Sequence, residues 1–183
     1  MGQNIPPLQS DVNPVAELVR VYEVELTRPG GGDVNQYTAG DVIADSASAA
    51  TVLKITDFFK YNGSGNYIGA LRVSTNNKLW AGVPLRVFFF NDTITAQNDN
   101  AAYNQLYANA PKNFGHIDLT FDTAATGAST DMVAAYNEAN KVLIQSNGTS
   151  DDLVMIVLVG AGSNPTPTSG QKFLFKVAIV QGG

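Results

Sequence analysis

Apolar residues in this chain recur with a period of two, in short runs closed by Gly, Asn or Pro, and this alternation restricts the fold more than any other feature. Successive side chains of a strand point to opposite faces, so such runs build sheets with one face turned inward. From Arg20 to Leu26, Tyr22, Val24 and Leu26 share one face while Val21, Glu23 and Glu25 share the other. Arg28-Pro29-Gly30-Gly31-Gly32-Asp33 breaks that strand, and Tyr37 to Ile43 reads as a turn into a short one. Thr51 to Phe59 is rich in β-branched and aromatic residues. It ends at Asn62-Gly63-Ser64-Gly65-Asn66, where residues tolerant of positive φ predict a hairpin, with Tyr67 to Ser74 returning. Leu85 to Phe90 is continuously apolar apart from Arg86, the pattern of a central strand buried on both faces. Ile117 to Phe121, Leu153 to Val159 and Phe173 to Val180 complete the strands, the last two separated by the turn-rich Gly160 to Gly170.

Helical signals are few. Asp99 is placed to cap a short helix within Asn98 to Ala108, and Ser129 or Thr130 to cap one through Met132, Ala135, Tyr136 and Ala139; Val142 to Ile144 instead suit a strand. Residues 1–18 read as an extended arm, since Pro6, Pro7 and Pro14 interrupt any helix and Ile5, Leu8 and Val12 keep no period. A helical turn from Asn13 to Leu18 is compatible with Pro14 at its start.

Many short strands spaced by Gly- and Asn-rich turns predict an all-β, antiparallel sandwich or barrel, residues 19–183 forming one such domain behind the arm. The absence of a βα rhythm and of a fixed repeat argues against doubly wound folds, propellers and solenoids. With 183 residues the chain is long enough to bury roughly 70% of its unfolded surface.

Composition narrows the partners. The net charge is −5, and the eleven basic residues are scattered singly, none of Arg20, Arg28, Arg72 and Arg86 having a basic neighbour. Phosphate backbones and anionic membrane surfaces need clustered cations, so neither nucleic acid nor membrane is expected. The longest strongly apolar run, Leu153 to Val159, is far short of the ~20 residues of a membrane helix. No cysteine is present, which removes disulfides and thiolate chemistry, and the N-terminus lacks the basic and apolar regions of a signal peptide. Charged residues make up 15%, well below the usual ~25%, and Asn, Thr, Ser and Gly replace them. Such a surface suits uncharged contacts with other proteins.

Candidate chemistry is sparse, and each candidate has a simpler structural reading. The single histidine, His116, sits beside Gly115, with Asp118 or Asp122 available to orient it, but no nucleophile elbow or oxyanion segment accompanies it. Of four glutamates (Glu17, Glu23, Glu25 and Glu138), only Glu23 and Glu25 fall on one strand face, where a solvated face explains them better than a glycosidase pair. Asn91-Asp92 and Asn98-Asp99-Asn100 offer oxygen ligands for Ca²⁺ without the spacing of a known loop, and Asp151-Asp152 reads as turn chemistry. Gly30-Gly31-Gly32 and Gly63-Ser64-Gly65 lack the Lys and Ser/Thr of a phosphate loop. Asn62-Gly63-Ser64, Asn91-Asp92-Thr93 and Asn147-Gly148-Thr149 match a glycosylation triplet that chance supplies often. No catalytic, cofactor or metal residue is therefore assigned, no cofactor is expected, and a ligand-binding set is not defined.

Tyr37-Thr38-Ala39-Gly40-Asp41-Val42-Ile43, Gly65-Asn66-Tyr67-Ile68-Gly69-Ala70-Leu71 and Pro84-Leu85-Arg86-Val87-Phe88-Phe89-Phe90-Asn91 occur in this order, followed by Asp99-Asn100-Ala101-Ala102 and the strand Val154 to Val159. Over residues 37 to 180 the chain resembles head decoration (cement) and auxiliary capsid proteins of tailed bacteriophages. The resemblance implies a jelly-roll-like sandwich, attachment to major capsid protein on the outside of the shell, and a trimer at local symmetry axes. It also implies synthesis in the host cytoplasm and residence in the virion. It transfers no binding residue. The arm could then cross onto a neighbouring subunit. A second reading is a carbohydrate- or receptor-binding module of a phage fibre or tail, with Trp80, Tyr61 and Tyr67 as a sugar-stacking platform; the simpler account of Trp80 is packing at the sandwich rim. A third, a hydrolase with an unrecognised site, has no motif behind it.

Overall fold

A computed structural model describes residues 19–59, 66–122, 133–137 and 142–181. Within them the strands are β1 (Val19–Thr27), β2 (Val42–Ile43), β3 (Leu53–Ile55), β4 (Asn66–Thr75), β5 (Pro84–Phe90), β6 (Asn113–Thr120), β7 (Val133–Asn137), β8 (Val142–Ile144), β9 (Leu153–Val159) and β10 (Lys172–Gln181). One antiparallel sheet has the order β1-β10-β4-β7 with β8 also on β4, and the other β2-β9-β5-β6 with β3 also on β9. The short pairs β2/β3 and β7/β8 each occupy one place beside a longer strand, so the two sheets run first-eighth-third-sixth and second-seventh-fourth-fifth. That order is the double Greek key of a jelly-roll sandwich. The first face-to-face sheet is called the β4 sheet below, the second the β9 sheet.

The core forms where the inward phases of the two sheets meet. Phe173, Phe175, Val177 and Ile179 of β10 are all fully buried, as alternation predicts. On β4 the inward residues Ile68 and Leu71 are three apart, which plain alternation forbids. A register shift opposite Ala178 and Ile179 makes Gly69 the extra residue and restores the phase. Glycine is required there because a Cβ on it would lie 2.8 Å from Val180 Cγ2.

The two faces of the molecule differ. Leu153, Met155, Val157 and Val159 of β9 point into the main core, and Val154, Ile156 and Leu158 into a second cluster on the outer side with Val42, Ala44, Phe90 and Ile94. All seven residues of β9 are buried, and this strand, more than Leu85 to Phe90, is the one enclosed on both faces. The cover is the connection between β5 and β6. It doubles back along β2, with Val42 N donating to Ala101 O, Asn100 N to Val42 O and Tyr103 N to Gly40 O. Tyr103 stacks on Phe88 at 5.1 Å. Each aliphatic or aromatic side chain so enclosed stabilises by about 1.5–3 kcal/mol relative to exposure.

Three expectations are corrected here. The strands on either side of Asn62 to Asn66 form no hairpin: β3 pairs with β9 in one sheet, and β4 with β10, β7 and β8 in the other. Asp99 caps no helix: Asn98 to Leu106 is irregular backbone laid over the sheet, and helical geometry begins only at the 3-10 turn Tyr107–Lys112. Over its described part, the expected helix through Met132 to Ala139 is strand β7, held in register with Leu71 to Thr75. A further short helical piece is the 3-10 turn Lys78–Trp80, where Asn77 Oδ1 accepts from Leu79 N. The arm, residues 1–18, lies outside the described residues.

Candidate interaction surfaces

The only charged side chains fully enclosed among the described residues meet at one end of the sandwich. Arg28, just past β1, places Nη2 2.6 Å from Asp99 Oδ2, donates from Nη1 to Thr168 O at 3.3 Å and bonds through Nε to the Tyr37 hydroxyl. Tyr37 Oη donates to Asp99 Oδ1 at 2.6 Å, and Ala44 N reaches the same oxygen at 2.8 Å. Burial, reinforced by the Asp99 carboxylate, holds the Tyr37 phenol far above its ordinary range. Burial works against the Arg28 charge, but Asp99 and Tyr37 more than offset it, and the guanidinium pKa is raised. Every group is committed and enclosed, so this cluster fastens three connections to β2 and has no atom free to react.

The sequence candidates disperse on the same inspection. Trp80 is fully buried, its indole edge-on to Tyr37, Phe121 and Phe173, with Nε1 donating to Thr166 O at 3.3 Å. It is a core residue and not a stacking platform; Tyr67 stands on the outer face of β4, and Tyr61 lies outside the described residues. His116 Nε2 is 3.8 Å from Asp118 Oδ2, too long for a hydrogen bond, and Asp118 is instead held by Arg86 at 2.7 and 2.9 Å. Those bonds depress the Asp118 pKa. Glu23 and Glu25 do share a face, each paired across to β10, with Lys176 at 2.5 Å and Lys172 at 2.8 Å. The Lys172 bond lowers the Glu25 pKa, the opposite of what a general acid needs. Asp152 pairs with Lys54 and Asp92 with Lys112, while Asn98 Oδ1 accepts from Ala50 N. No group of three or more His, Asp or Glu that could hold a metal occurs among the described residues.

What the geometry does offer is surface. The outer face of the β9 sheet is largely covered by the β5–β6 connection, whereas that of the β4 sheet exposes large hydrophobics among the described residues. Of eight exposed large hydrophobic residues among those described, four stand on it: Val21 (58% exposed), Tyr67 (40%), Tyr136 (59%) and Leu143 (50%). Register arranges the face in rows. Val180, Tyr67 and Leu143 form one, and Val21, Ala178 and Ala70 the next; Glu23, Lys176, Arg72 and Tyr136 then cross the sheet together. The apolar rows lie at the end where β1 begins; beyond them Glu23 pairs with Lys176 and Glu25 with Lys172, while Arg72 makes no ion pair among the described residues.

A second feature is the corner of the β9 sheet that the covering connection does not reach. Leu158, Arg86 and Asp118 are direct cross-strand neighbours there, at the floor of an open trough of about 690 Å³. Sequence reading took Asp118 only as a partner for His116 and missed its pairing with Arg86. The signal was present in Arg86 itself, the one charge within an apolar strand.

No family model matches the chain, and no curated protein matches it. Three solved structures of viral particles align along most of its length. They are Desmodium yellow mottle tymovirus (10% identity, 99% of this chain and 94% of that one, TM-score 0.27), the empty head of turnip yellow mosaic virus (9%, 99% and 87%, 0.28) and a marine algae virus of the order Picornavirales (13%, 92% and 70%, 0.28). At such scores the superpositions carry no argument; the fold assignment rests on the strand order above.

Proposed function

We propose that the chain is a non-enzymatic virion structural protein, a decoration (cement) protein that attaches to the outside of a phage capsid and stabilises the shell. One observation carries the reading: the sandwich covers most of one sheet with its own connection, and four of the eight exposed large hydrophobics among the described residues stand on the other. Apolar rows that themselves hold no charge suit contact with another protein, because burying them strands no unpaired charge. In this reading residues 19–183 are the attaching domain, residues 1–18 an arm that reaches a neighbouring subunit, and three copies meet at a local symmetry axis. Symmetry multiplies a modest contact into avidity.

The test is co-sedimentation with empty shells of a matching phage. Bound protein should raise the shell disruption temperature, and Val21→Lys with Leu143→Lys should abolish binding while leaving the melting temperature of the free protein unchanged. Unaltered binding by that variant removes the β4-sheet face from the attachment. Absence of binding by the full chain removes the decoration role. A monomer both free and on the shell removes the trimer.

A further inference from the structure

The trough beside Arg86 has the chemistry of a ligand site that the attachment reading does not use. Its floor is the outer face of the β9 sheet at Leu158, Arg86 and Asp118. One wall is made of small residues, Ala39-Gly40 and Gly160-Ala161, and the other carries Tyr136 and Asn137 of β7. The small wall is enforced, since a Cβ on Gly160 would lie 2.8 Å from Pro84 Cβ and 3.1 Å from its carbonyl carbon. A volume of about 690 Å³ falls in the range of about 300–1,000 Å³ that small-molecule sites occupy.

The polar groups narrow the ligand. Arg86 and Asp118 lie fork to fork across adjacent strands, Nε to Oδ1 at 2.7 Å and Nη2 to Oδ2 at 2.9 Å. Such a pair is planar and fixed by its two parallel bonds. A guanidinium has five N–H groups; two are used here, and three remain for a ligand beside the second lone pairs of the carboxylate. The pair has no net charge, so an anion meets Asp118 and a cation meets Arg86. Several backbone groups around the trough are already taken: Asn137 Nδ2 caps Asp118 O at 2.6 Å, Asp122 N bonds Ala134 O, and Gly40 N and Gly160 N bond Val159 O and Pro84 O. What fits is an uncharged molecule that presents donors and acceptors on adjacent atoms together with an apolar ring face. At the rim, Tyr136 is 59% exposed and supplies an aromatic surface for that face.

We propose that the trough binds a neutral saccharide, with Arg86 and Asp118 bonding vicinal hydroxyls and Tyr136 covering the C–H face of the ring. The site shares Tyr136 with the β4-sheet face, but Arg86 and Asp118 lie on the other sheet, so it can fail without the decoration reading failing.

The experiment is saturation-transfer NMR on the full chain with glucose, galactose, mannose, N-acetylglucosamine, their short oligomers and the acidic sugars glucuronic and sialic acid at about 10 mM, enough to occupy a site of about 1 mM Kd. At least one neutral sugar should show transfer. Tyr136→Ala should weaken it by about three- to tenfold and Arg86→Met by about tenfold or more. Lys54→Ala, opposite Val154 at the other end of β9 and outside the trough, should leave it unchanged, and a dispersed amide spectrum of each variant shows that the fold is kept. No transfer from any sugar overturns the proposal, as does transfer that survives Arg86→Met with Tyr136→Ala. Transfer confined to acidic sugars also overturns it. Shell co-sedimentation of Arg86→Met should match the parent, and a parent chain that binds shells but shows no sugar transfer refutes the saccharide site alone.

Discussion

Replacing Asp99 by alanine is the sharpest perturbation the structure offers. Asp99 accepts from a charged guanidinium at 2.6 Å, a phenol at 2.6 Å and a backbone amide at 2.8 Å, and both charged side chains are fully enclosed. The substitution strips a buried cation of its close counter-charge and leaves only Asp33 Oδ2 at 3.7 Å, a loss of about 3–5 kcal/mol when the main partner of such a pair is removed. In a chain of this size each kcal/mol lowers the melting temperature by about 2–4 °C, so the expected fall is about 6–20 °C. Scanning calorimetry and urea melts of parent and variant measure it. If Asp99 did no more than cap a turn, the cost would be about 1 kcal/mol and the fall at most about 4 °C; a fall that small refutes the reasoning. A second arm separates lost charge from lost packing. Arg28→Met combined with Asp99→Leu removes both charges and should recover a large part of the loss, because a buried pair offers little over apolar side chains of similar volume.

Trp80→Ala should cost about 3–5 kcal/mol in chemical denaturation, as expected for a core aromatic, while Lys172→Ala at an exposed pair should stay within about 0.5 kcal/mol. Gly69→Ala should destabilise by about 1–3 kcal/mol through the contact with Val180, and Val180→Ala in the same chain should return part of it in the same melts. Asp118 titrates below the ordinary aspartate range because Arg86 holds its ionised form. Its contribution to stability is present above the unfolded-state pKa and is lost as pH falls through the folded one. Arg86→Met should raise the Asp118 midpoint in a carboxylate NMR titration and flatten that acid dependence; an unmoved midpoint contradicts the pairing.

Most strands were legible because their signal is local. Tyr22, Val24 and Leu26, or Phe173 to Ile179, alternate within a few residues, and the turns that end them carry Gly and Asn. The errors fall where a partner distant in the chain decides. Val133 to Asn137 is short and alanine-bearing, compatible with helix or strand, and pairing with β4, some sixty residues earlier in the chain, settles it. Asp99 sits among asparagines, which suggests turn chemistry, yet its partner Arg28 is 71 residues away. Trp80 follows a turn, and what buries it is Tyr37, Phe121 and Phe173, from three separate connections and strands. No periodicity carries that information.

The same distinction explains why the surfaces were the least legible part. Leu85 to Phe90 and Leu153 to Val159 look alike as apolar runs, but one has Arg86 at its outer centre and the other no charge at all. The β5–β6 connection covers the outer face wherever that face is apolar, over Phe90, Val154 and Ile156, and stops short of Arg86 and Asp118. Desolvating a guanidinium and a carboxylate against a loop offers no gain, whereas enclosing valines and leucines does. Coverage of the β9 sheet thus follows the polarity of what lies beneath, and the trough exists because a charged pair interrupts an apolar strand. The β4 sheet breaks this rule: Val21, Tyr67 and Leu143 are apolar and exposed, with no connection of the chain among the described residues laid across them. An apolar face left open in a molecule that covers most of its other sheet is the physical basis for seeking its cover in another protein.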